Sequence, residues 1–143
     1  MAHVEKFGKA QYERLAAFRY ALRKFLHFSE QAAADAGLTP QQHQALLAIK
    51  GFPGRDWVTI GELAERLQIK HHSAVGLADR LVTEKMVGRQ SAKDDRRQVQ
   101  LALTSRGEAV LKKLSVIHQE QLHRIGPELG KLLEPLDTKK PVK

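Results

Sequence analysis

The chain of 143 residues is long enough for one domain with its own core, since 42% of its residues are hydrophobic and 28% are charged. It contains no cysteine, which excludes disulfides, thiol redox chemistry and cysteine metal sites. The formal net charge of +8 favours a polyanionic partner such as nucleic acid or an anionic membrane surface. No apolar run reaches the roughly 18 residues that a spanning helix needs, and the N-terminus lacks the apolar core of a signal peptide. We therefore expect a cytoplasmic protein with no membrane partner.

The first predicted element is one long helix over residues 8–36. Apolar side chains recur along it at helical spacing: Leu15, Phe18, Leu22, Phe25, Leu26 and Phe28. A helix with this much aromatic surface must pack on something large, and a core helix and a dimer-forming helix explain the stripe equally well. Gly37 follows at the position where glycine commonly ends a helix.

Two capping boxes predict the starts of the next two helices. Thr39 and Gln42 form the first box, and Thr59 and Glu62 form the second. The glycine- and proline-containing segment 51–57 separates the two helices. A short strand is expected just before the second box.

A helix-turn-helix is predicted from the second box onward. A tight turn at residues 68–70 leads into an amphipathic helix over residues 71–85. Its buried side is predicted from the spacing i, i+3, i+4 and i+7 of Ala74, Leu77, Ala78 and Leu81. Two short helices joined by such a turn, the second amphipathic, are typical of this motif.

A hairpin is predicted directly after the helix-turn-helix, with strands at residues 87–91 and 99–103. The second strand alternates apolar with polar or small residues. The connecting segment 92–98 is polar after its first residue and rich in basic side chains. Taken alone, the hairpin fits a DNA-contacting wing and a solvated surface hairpin equally well. Its position favours the wing, because the order helix, turn, helix, two-stranded hairpin is typical of a winged helix.

Another helix is predicted after the hairpin, capped by Thr104 or Ser105. The Gly126–Pro127 pair is predicted to break or kink it before a short, leucine-rich last helix. The basic segment 137–143 is predicted to be a disordered tail.

Residues 95–107, with the sequence DRRQVQLALTSRG, resemble the wing signature of the MarR family of bacterial winged-helix transcription regulators. That signature has an Asp and an Arg two residues apart, a hydrophobic strand, then Leu-Thr and a glycine three residues on. Segments 38–42 and 60–64 also look like the family's second and third helices, and the resemblance covers roughly residues 10 to 130. The chain departs from the family at Gln98, where a small residue is usual, and at Lys85, where glycine is common.

The fold class implied by these observations is mainly α with a small β-wing. We expect a single domain over residues 1–143, with a winged helix-turn-helix lobe at about 38–104. N- and C-terminal dimerisation helices at about 8–36 and 105–136 flank this lobe, and a basic tail covers 137–143. By resemblance, the flanking helices interlock as a homodimer that reads a pseudo-palindromic site on double-stranded DNA.

The predicted recognition helix supplies the first part of the DNA-binding set. Helices of this kind place their N-terminal residues against base edges in the major groove. Ser73 and the histidines can donate hydrogen bonds to bases or phosphates, and Val75 can contact a thymine methyl group. Lys70 is a poor N-cap, which leaves N–H groups that a phosphate can satisfy. The residues assigned here are Lys70, His71, His72, Ser73, Val75, Gly76 and Arg80, although His71 and His72 also fit a pair of solvated histidines.

The wing supplies the second part of the predicted DNA-binding set. By resemblance, Arg97 is the residue that enters the minor groove, where a narrow A·T-rich groove concentrates negative potential. Asp95 would orient its guanidinium, while Arg89, Lys93 and Arg96 would contact phosphates. Residues 85–106 contain six basic and two acidic side chains, so half of the net charge of +8 lies here.

The resemblance implies a dimeric repressor that a small molecule releases. An aromatic or anionic effector is left open, because Tyr12, Phe18, Trp57 and the arginines of the first helix fit a pocket and core packing equally well. The operator sequence, the target genes, the effector and the choice between repressor and activator do not follow from the sequence.

Two alternatives remain: a winged-helix module that binds protein without specific DNA binding, and a zinc-responsive regulator. Zinc sites often use histidines four residues apart, and His118 and His123 are five apart, with His43 elsewhere. The sequence lacks a phosphate-binding glycine loop, a nucleophile elbow, an HExxH motif and a cysteine nucleophile. We therefore expect no enzymatic activity, no cofactor and no metal.

Overall fold

The computed structural model describes residues 7–91 and 98–134. Within these ranges the chain is mainly helical, with one small antiparallel sheet of strand order β1-β3-β2. This architecture confirms the predicted fold class, and no helix in the described ranges is long and apolar enough to cross a membrane. The elements in chain order are α1 (Lys9–Asp35), α2 (Pro40–Lys50), β1 (Trp57–Val58), α3 (Ile60–Leu67), α4 (His71–Thr83), β2 (Val87–Ser91), β3 (Val99–Leu103) and α5 (Ser105–Leu133).

The chain divides into two compact units. One unit is Glu30–Val116 and contains α2, α3, α4 and the sheet; the other comprises the described residues of Met1–Ser29 and Ile117–Lys143. The predicted single domain, with its lobe at about 38–104, stays a prediction.

The core of the Glu30–Val116 unit lies where α2, α3 and α4 meet the sheet. Leu46, Ile49, Leu63 and Leu101 are fully buried there. The buried side of α4 is the predicted one, since its four spaced residues Ala74, Leu77, Ala78 and Leu81 have at most 1% of their surface exposed. Burying this side of α4 leaves the opposite side on the surface of the unit.

Both predicted capping boxes are present. The Thr39 Oγ1 accepts the Gln42 N–H at 3.1 Å, and the Gln42 side chain accepts the Thr39 N–H at 3.0 Å. Thr59 and Glu62 make the same reciprocal pair at 3.2 Å and 2.9 Å. The Gln42 amide also donates to the Glu84 carboxylate at 2.7 Å, which ties the start of α2 to the end of α4.

Helix α5 runs without a break through Pro127, so the prediction of a break and a separate last helix is wrong. Proline lacks an N–H and leaves the carbonyl one turn earlier, at His123, without its helical partner. Both residues are exposed, and water can donate to the freed carbonyl. The leucine stripe of the predicted last helix therefore continues α5, except for Leu136, which with the predicted tail lies outside the described residues.

Lys85, between α4 and β2, has a left-handed backbone conformation with φ +62°. A side chain at such a φ costs energy that glycine avoids. We expect Lys85→Gly to raise the free energy of unfolding by about 0.5–1 kcal/mol, measured by urea denaturation. Lys85→Ala is the matched control, because it removes the same side chain and keeps the Cβ. If the glycine variant is no more stable than the alanine variant, the left-handed conformation carries no cost at this position.

Candidate nucleic-acid interface

The side of α4 that points away from the core carries the predicted recognition residues. His71, His72, Ser73 and Arg80 are exposed, and so is Lys70 just before the helix. Val75 lies on the same side and is 37% exposed. The helix therefore presents hydrogen-bond donors together with one apolar contact, as a surface that reads base edges requires.

The start of α4 has no side-chain cap. Lys70 is extended at φ −71° and ψ 153°, and its side chain makes no capping hydrogen bond to the first turn. An open groove adjoins this helix start, and Gly61, Glu65, Gln68 and His71 help to line it. Such a helix start attracts an anion, and a DNA phosphate meets its requirements.

Gly76 lies in the middle of the outward side of α4. A Cβ built at this residue would have no other atom within 4 Å, and its φ is not in the left-handed region. Neither packing nor backbone conformation therefore demands glycine here. The small residue leaves room for a partner to approach the α4 backbone closely.

Arg89, on the first wing strand, forms an ion pair with Asp79 of α4. Both side chains are partly exposed, at 41% and 56%. In this structure Arg89 therefore connects the first wing strand to α4, and its predicted phosphate contact stays a prediction.

The wing strands have the predicted positions and pair antiparallel from Val87↔Leu103 to Ser91↔Val99. The second strand also pairs with β1, which lies at the expected place before α3. The predicted wing residues Lys93, Asp95, Arg96 and Arg97 lie outside the described residues.

A stack of guanidinium and aromatic groups, which the sequence reasoning missed, adjoins the start of α3. The Arg55 guanidinium carbon lies 4.3 Å from the Phe52 ring centroid and 3.9 Å from that of Trp57. The same guanidinium forms an ion pair with Glu62, and the guanidinium carbon of Arg66 lies 4.8 Å from the Phe52 ring centroid. We name Phe52, Arg55, Trp57, Glu62 and Arg66 the Arg55 stack. The only signal in the sequence was the presence of two aromatic residues and an arginine in a segment that otherwise reads as a loop.

Glu62 is the polar end of this stack. Partial burial acts to raise the pKa of its carboxyl group, but hydrogen bonds from the Thr59 N–H and the Arg55 guanidinium outweigh that effect and hold the pKa below its ordinary value of 4.5. Glu62 is therefore ionised near neutral pH, and its two carboxylate oxygens accept bonds from different donors. The start of α3 and the preceding loop are joined through this one carboxylate.

The histidines considered for zinc have other surroundings. His118 Nε2 lies 2.8 Å from Ser29 Oγ, and its ring makes edge contacts with Phe25 and Phe28. His43 is buried, at 2% exposure. Over residues 7–91 and 98–134, no three His, Asp or Glu side chains are grouped so that they could hold a metal ion. This finding lends the zinc-responsive alternative no support.

Two of the aromatic residues considered for an effector pocket have surroundings that the structure describes. Tyr12 is 61% exposed, and Trp57 belongs to the Arg55 stack. A cavity of about 110 Å³ lies between α1 and α5, and Lys24, Phe25 and Glu128 contribute to its lining. The effector stays a prediction.

Comparison with known proteins shows that this chain is similar to transcription regulators of the MarR family. A family model described as the MarR family matches residues 36–98, and no curated protein sequence matches the chain. AbsC, a MarR family transcriptional regulator from Streptomyces coelicolor, is a similar solved structure, with 20% identity, a TM-score of 0.71, and coverage of 91% of this chain and 93% of AbsC.

Two further structures are similar. A mutant of MepR from Staphylococcus aureus, bound to an oligodeoxyribonucleotide, has 19% identity and a TM-score of 0.66 over 85% of this chain and 96% of its own. BpsR from Bordetella bronchiseptica, whose DNA binding is regulated by 6-hydroxynicotinic acid, has 21% identity and a TM-score of 0.59 over 88% of this chain and 86% of its own. At these identities the structural likenesses establish the fold.

Proposed function

We propose that this chain is a member of the MarR family of winged-helix transcription regulators, whose family model matches residues 36–98, and that it is a homodimeric repressor that binds a pseudo-palindromic operator. Members of this family are transcription regulators and not enzymes. The observation that carries the proposal is the outward side of α4, where an uncapped helix start and exposed donors adjoin an open glycine.

Helix α4 is the element that enters the major groove. Its first turn carries His71, His72 and Ser73, whose side chains reach base edges or the flanking phosphates. Val75 contacts a thymine methyl group, and Gly76 lets the groove floor approach the helix backbone. The DNA-bound MepR mutant supports this docking because it shares the fold.

The wing enters the neighbouring minor groove. Arg97 inserts into that groove, Asp95 orients its guanidinium, and Lys93 and Arg96 contact phosphates. The paired strands β2 and β3 lead into the segment that carries these side chains. The positive charge of residues 85–106 supports a polyanionic partner.

Apolar surface on α1 and α5 that the single chain leaves exposed supports the proposed dimer. Leu15 is 40% exposed, Leu26 48% and Leu122 46%. Exposed apolar side chains repeated along two long helices favour burial against a second copy. Two copies would present two α4 helices to half-sites about 34 Å apart, the spacing of one DNA turn.

Release by a small aromatic or anionic molecule is the regulatory part of the proposal. It is supported by BpsR, which shares the fold and whose DNA binding 6-hydroxynicotinic acid regulates. Addition of aromatic carboxylic acids to the preformed protein–DNA complex tests it. Release by one of them at a concentration that leaves the protein folded is the expected result, and full retention of DNA with every acid would count against this part.

Selection of duplexes from a random library by the wild-type protein tests the DNA-binding proposal. We expect an A·T-rich inverted repeat to be enriched, and binding to it to weaken steeply as salt rises, because phosphate contacts release counterions. Enrichment of no sequence, with equal binding to any duplex at every salt concentration, would favour the alternative of a protein-interaction module.

Replacing the wing arginine tests the proposed minor-groove contact. Arg97→Ala is expected to weaken binding to the selected duplex about tenfold and to lower the slope of log affinity against log salt by about one. The measurement is fluorescence anisotropy across a salt series. Lys139→Ala is the control, since it removes one positive charge from the C-terminal segment. If the two variants bind alike, the assignment of the wing residue is wrong.

A further inference from the structure

We propose that Arg55 is a positioning residue that sets the separation between the helix-turn-helix and the wing, and so contributes to sequence selectivity. The inference rests on the proposed DNA binding. Arg55 is not among the residues predicted to contact DNA, and its side chain is 24% exposed.

On one side, the Arg55 guanidinium is joined to the sheet that forms the wing. It lies 3.9 Å from the Trp57 ring centroid, within the range of a cation–π interaction. Trp57 belongs to β1 and pairs with Ala102 of β3, which is the second strand of the wing. The position of the guanidinium is thus linked to the wing through one aromatic contact and a strand pairing.

On the other side, the same guanidinium is joined to the helix-turn-helix. It pairs with Glu62, whose other carboxylate oxygen accepts the Thr59 N–H at 2.9 Å at the start of α3. Helix α3 packs directly on the recognition helix α4. The contact of Arg66, on α3, with the Phe52 ring adds a second connection between this helix and the loop.

The contacts of the Arg55 guanidinium fit a positioning role and leave it poorly suited to bind phosphate. Two aromatic rings and one carboxylate already surround its guanidinium. A winged helix reads DNA with α4 and the wing at the same time, in neighbouring grooves, and small displacements of a binding group reduce complementarity. Loss of Arg55 would loosen the contacts that hold the preceding loop against Trp57 of β1 and Glu62 of α3, and small shifts of these elements would weaken binding to DNA that α4 and the wing must contact together.

The test compares Arg55→Gln with wild type on two duplexes: the one selected by the wild-type protein and a scrambled duplex of the same composition. We expect Arg55→Gln to weaken binding to the selected duplex about tenfold, with unchanged binding to the scrambled duplex and an unchanged salt slope. Arg55→Lys is expected to recover part of the loss, because an ammonium group can still pair with Glu62 and lie over an aromatic ring.

Lys50→Gln is the matched control. It removes one positive charge from the same unit, and Lys50 is paired with Glu108 at 2.9 Å and with Asp56 at 3.7 Å. The ratio of affinities for the two duplexes is expected to stay at its wild-type value in this variant. A salt slope lowered by about one in Arg55→Gln would show a direct phosphate contact, and an unchanged affinity ratio would show no role in selectivity; either result overturns the proposal.

Hydrogen exchange of the full-length free protein tests the positioning role without DNA. In folded Arg55→Gln we expect faster exchange both at the Thr59 N–H and in the β1–β3 pairing at Val58↔Leu101. Trp57 is the single tryptophan of the chain, so its emission reports loss of the stacked guanidinium directly. Unchanged exchange at both places would overturn the proposal. Failure of the wild-type protein to select any duplex would instead count against the proposed function.

Discussion

Replacing Gly107 by alanine is expected to lower the free energy of unfolding by about 3 kcal/mol. Gly107 lies in the first turn of α5 and is buried. A Cβ built there would overlap the carbonyl oxygen of Met86 and lie 3.0 Å from its carbonyl carbon. Because the obstacle is backbone and not the end of a flexible side chain, α5 or the α4–β2 connection would have to shift.

Neither of these segments is free to shift at low cost. The Met86 carbonyl accepts the Thr104 N–H at 3.0 Å, and Met86 itself is 2% exposed. Thr104 Oγ1 donates to the Lys85 carbonyl at 2.6 Å and accepts the Gly107 N–H at 3.1 Å. Relief of the overlap would break bonds of this cluster or open the core next to it, and both are costly.

Thermal and urea denaturation measure the effect, and the melting temperature is expected to fall by about 10 °C. Gly130→Ala is the matched control in the same helix, because no other atom lies within 4 Å of its built Cβ. That variant should gain about 0.5–1 kcal/mol, since alanine costs less conformational entropy in a helix than glycine. Stabilisation in both variants would contradict the close approach of α5 to Met86.

Gly76→Glu is expected to weaken binding to the selected duplex about 100-fold while leaving the free protein folded. A Cβ built at Gly76 has no other atom of the protein within 4 Å, so a side chain can begin there without a clash. In the proposed complex, base edges of the major groove occupy that space. A carboxylate there would both exclude the bases and repel the phosphates.

Fluorescence anisotropy measures the expected loss of DNA affinity in Gly76→Glu, and thermal denaturation measures whether the free protein stays folded. Gly76→Ala should bind within a few-fold of wild type and gain about 0.5–1 kcal/mol of stability. Ala34→Glu is the charge control, because it adds the same carboxylate to an exposed site on α1 in the same unit. Wild-type affinity in Gly76→Glu would exclude the outward side of α4 as the DNA-contacting surface.

Much of the fold followed from features that act within one helical turn. The capping boxes at Thr39 and Thr59 were predictable because each joins residues three apart. The buried side of α4 was predictable because helix geometry places residues of spacing three and four on one side. The prediction of a helix end at Pro127 was wrong because it rested on local propensity alone. Solvent exposure of this position allowed α5 to continue.

The candidate site was predictable in part. The exposed side of α4 followed once its buried side was known, but the ion pair of Arg89 did not. Arg89 was predicted to contact phosphate from its charge and its place near the wing, whereas the folded chain pairs it with Asp79, ten residues earlier. A basic residue on a surface has many candidate anions, and only the packing of the wing against α4 selects one.

The sequence by itself determined the order of the elements as far as the start of α5, the side of α4 that faces outward and the uncapped start of that helix, because capping and periodicity depend on near neighbours in the chain. Only the tertiary structure decided the partners of Arg55, the close approach of Gly107 to Met86 and the bond between Gln42 and Glu84, which are 42 residues apart. These contacts form where separate elements meet, and their geometry depends on the packing of the whole core.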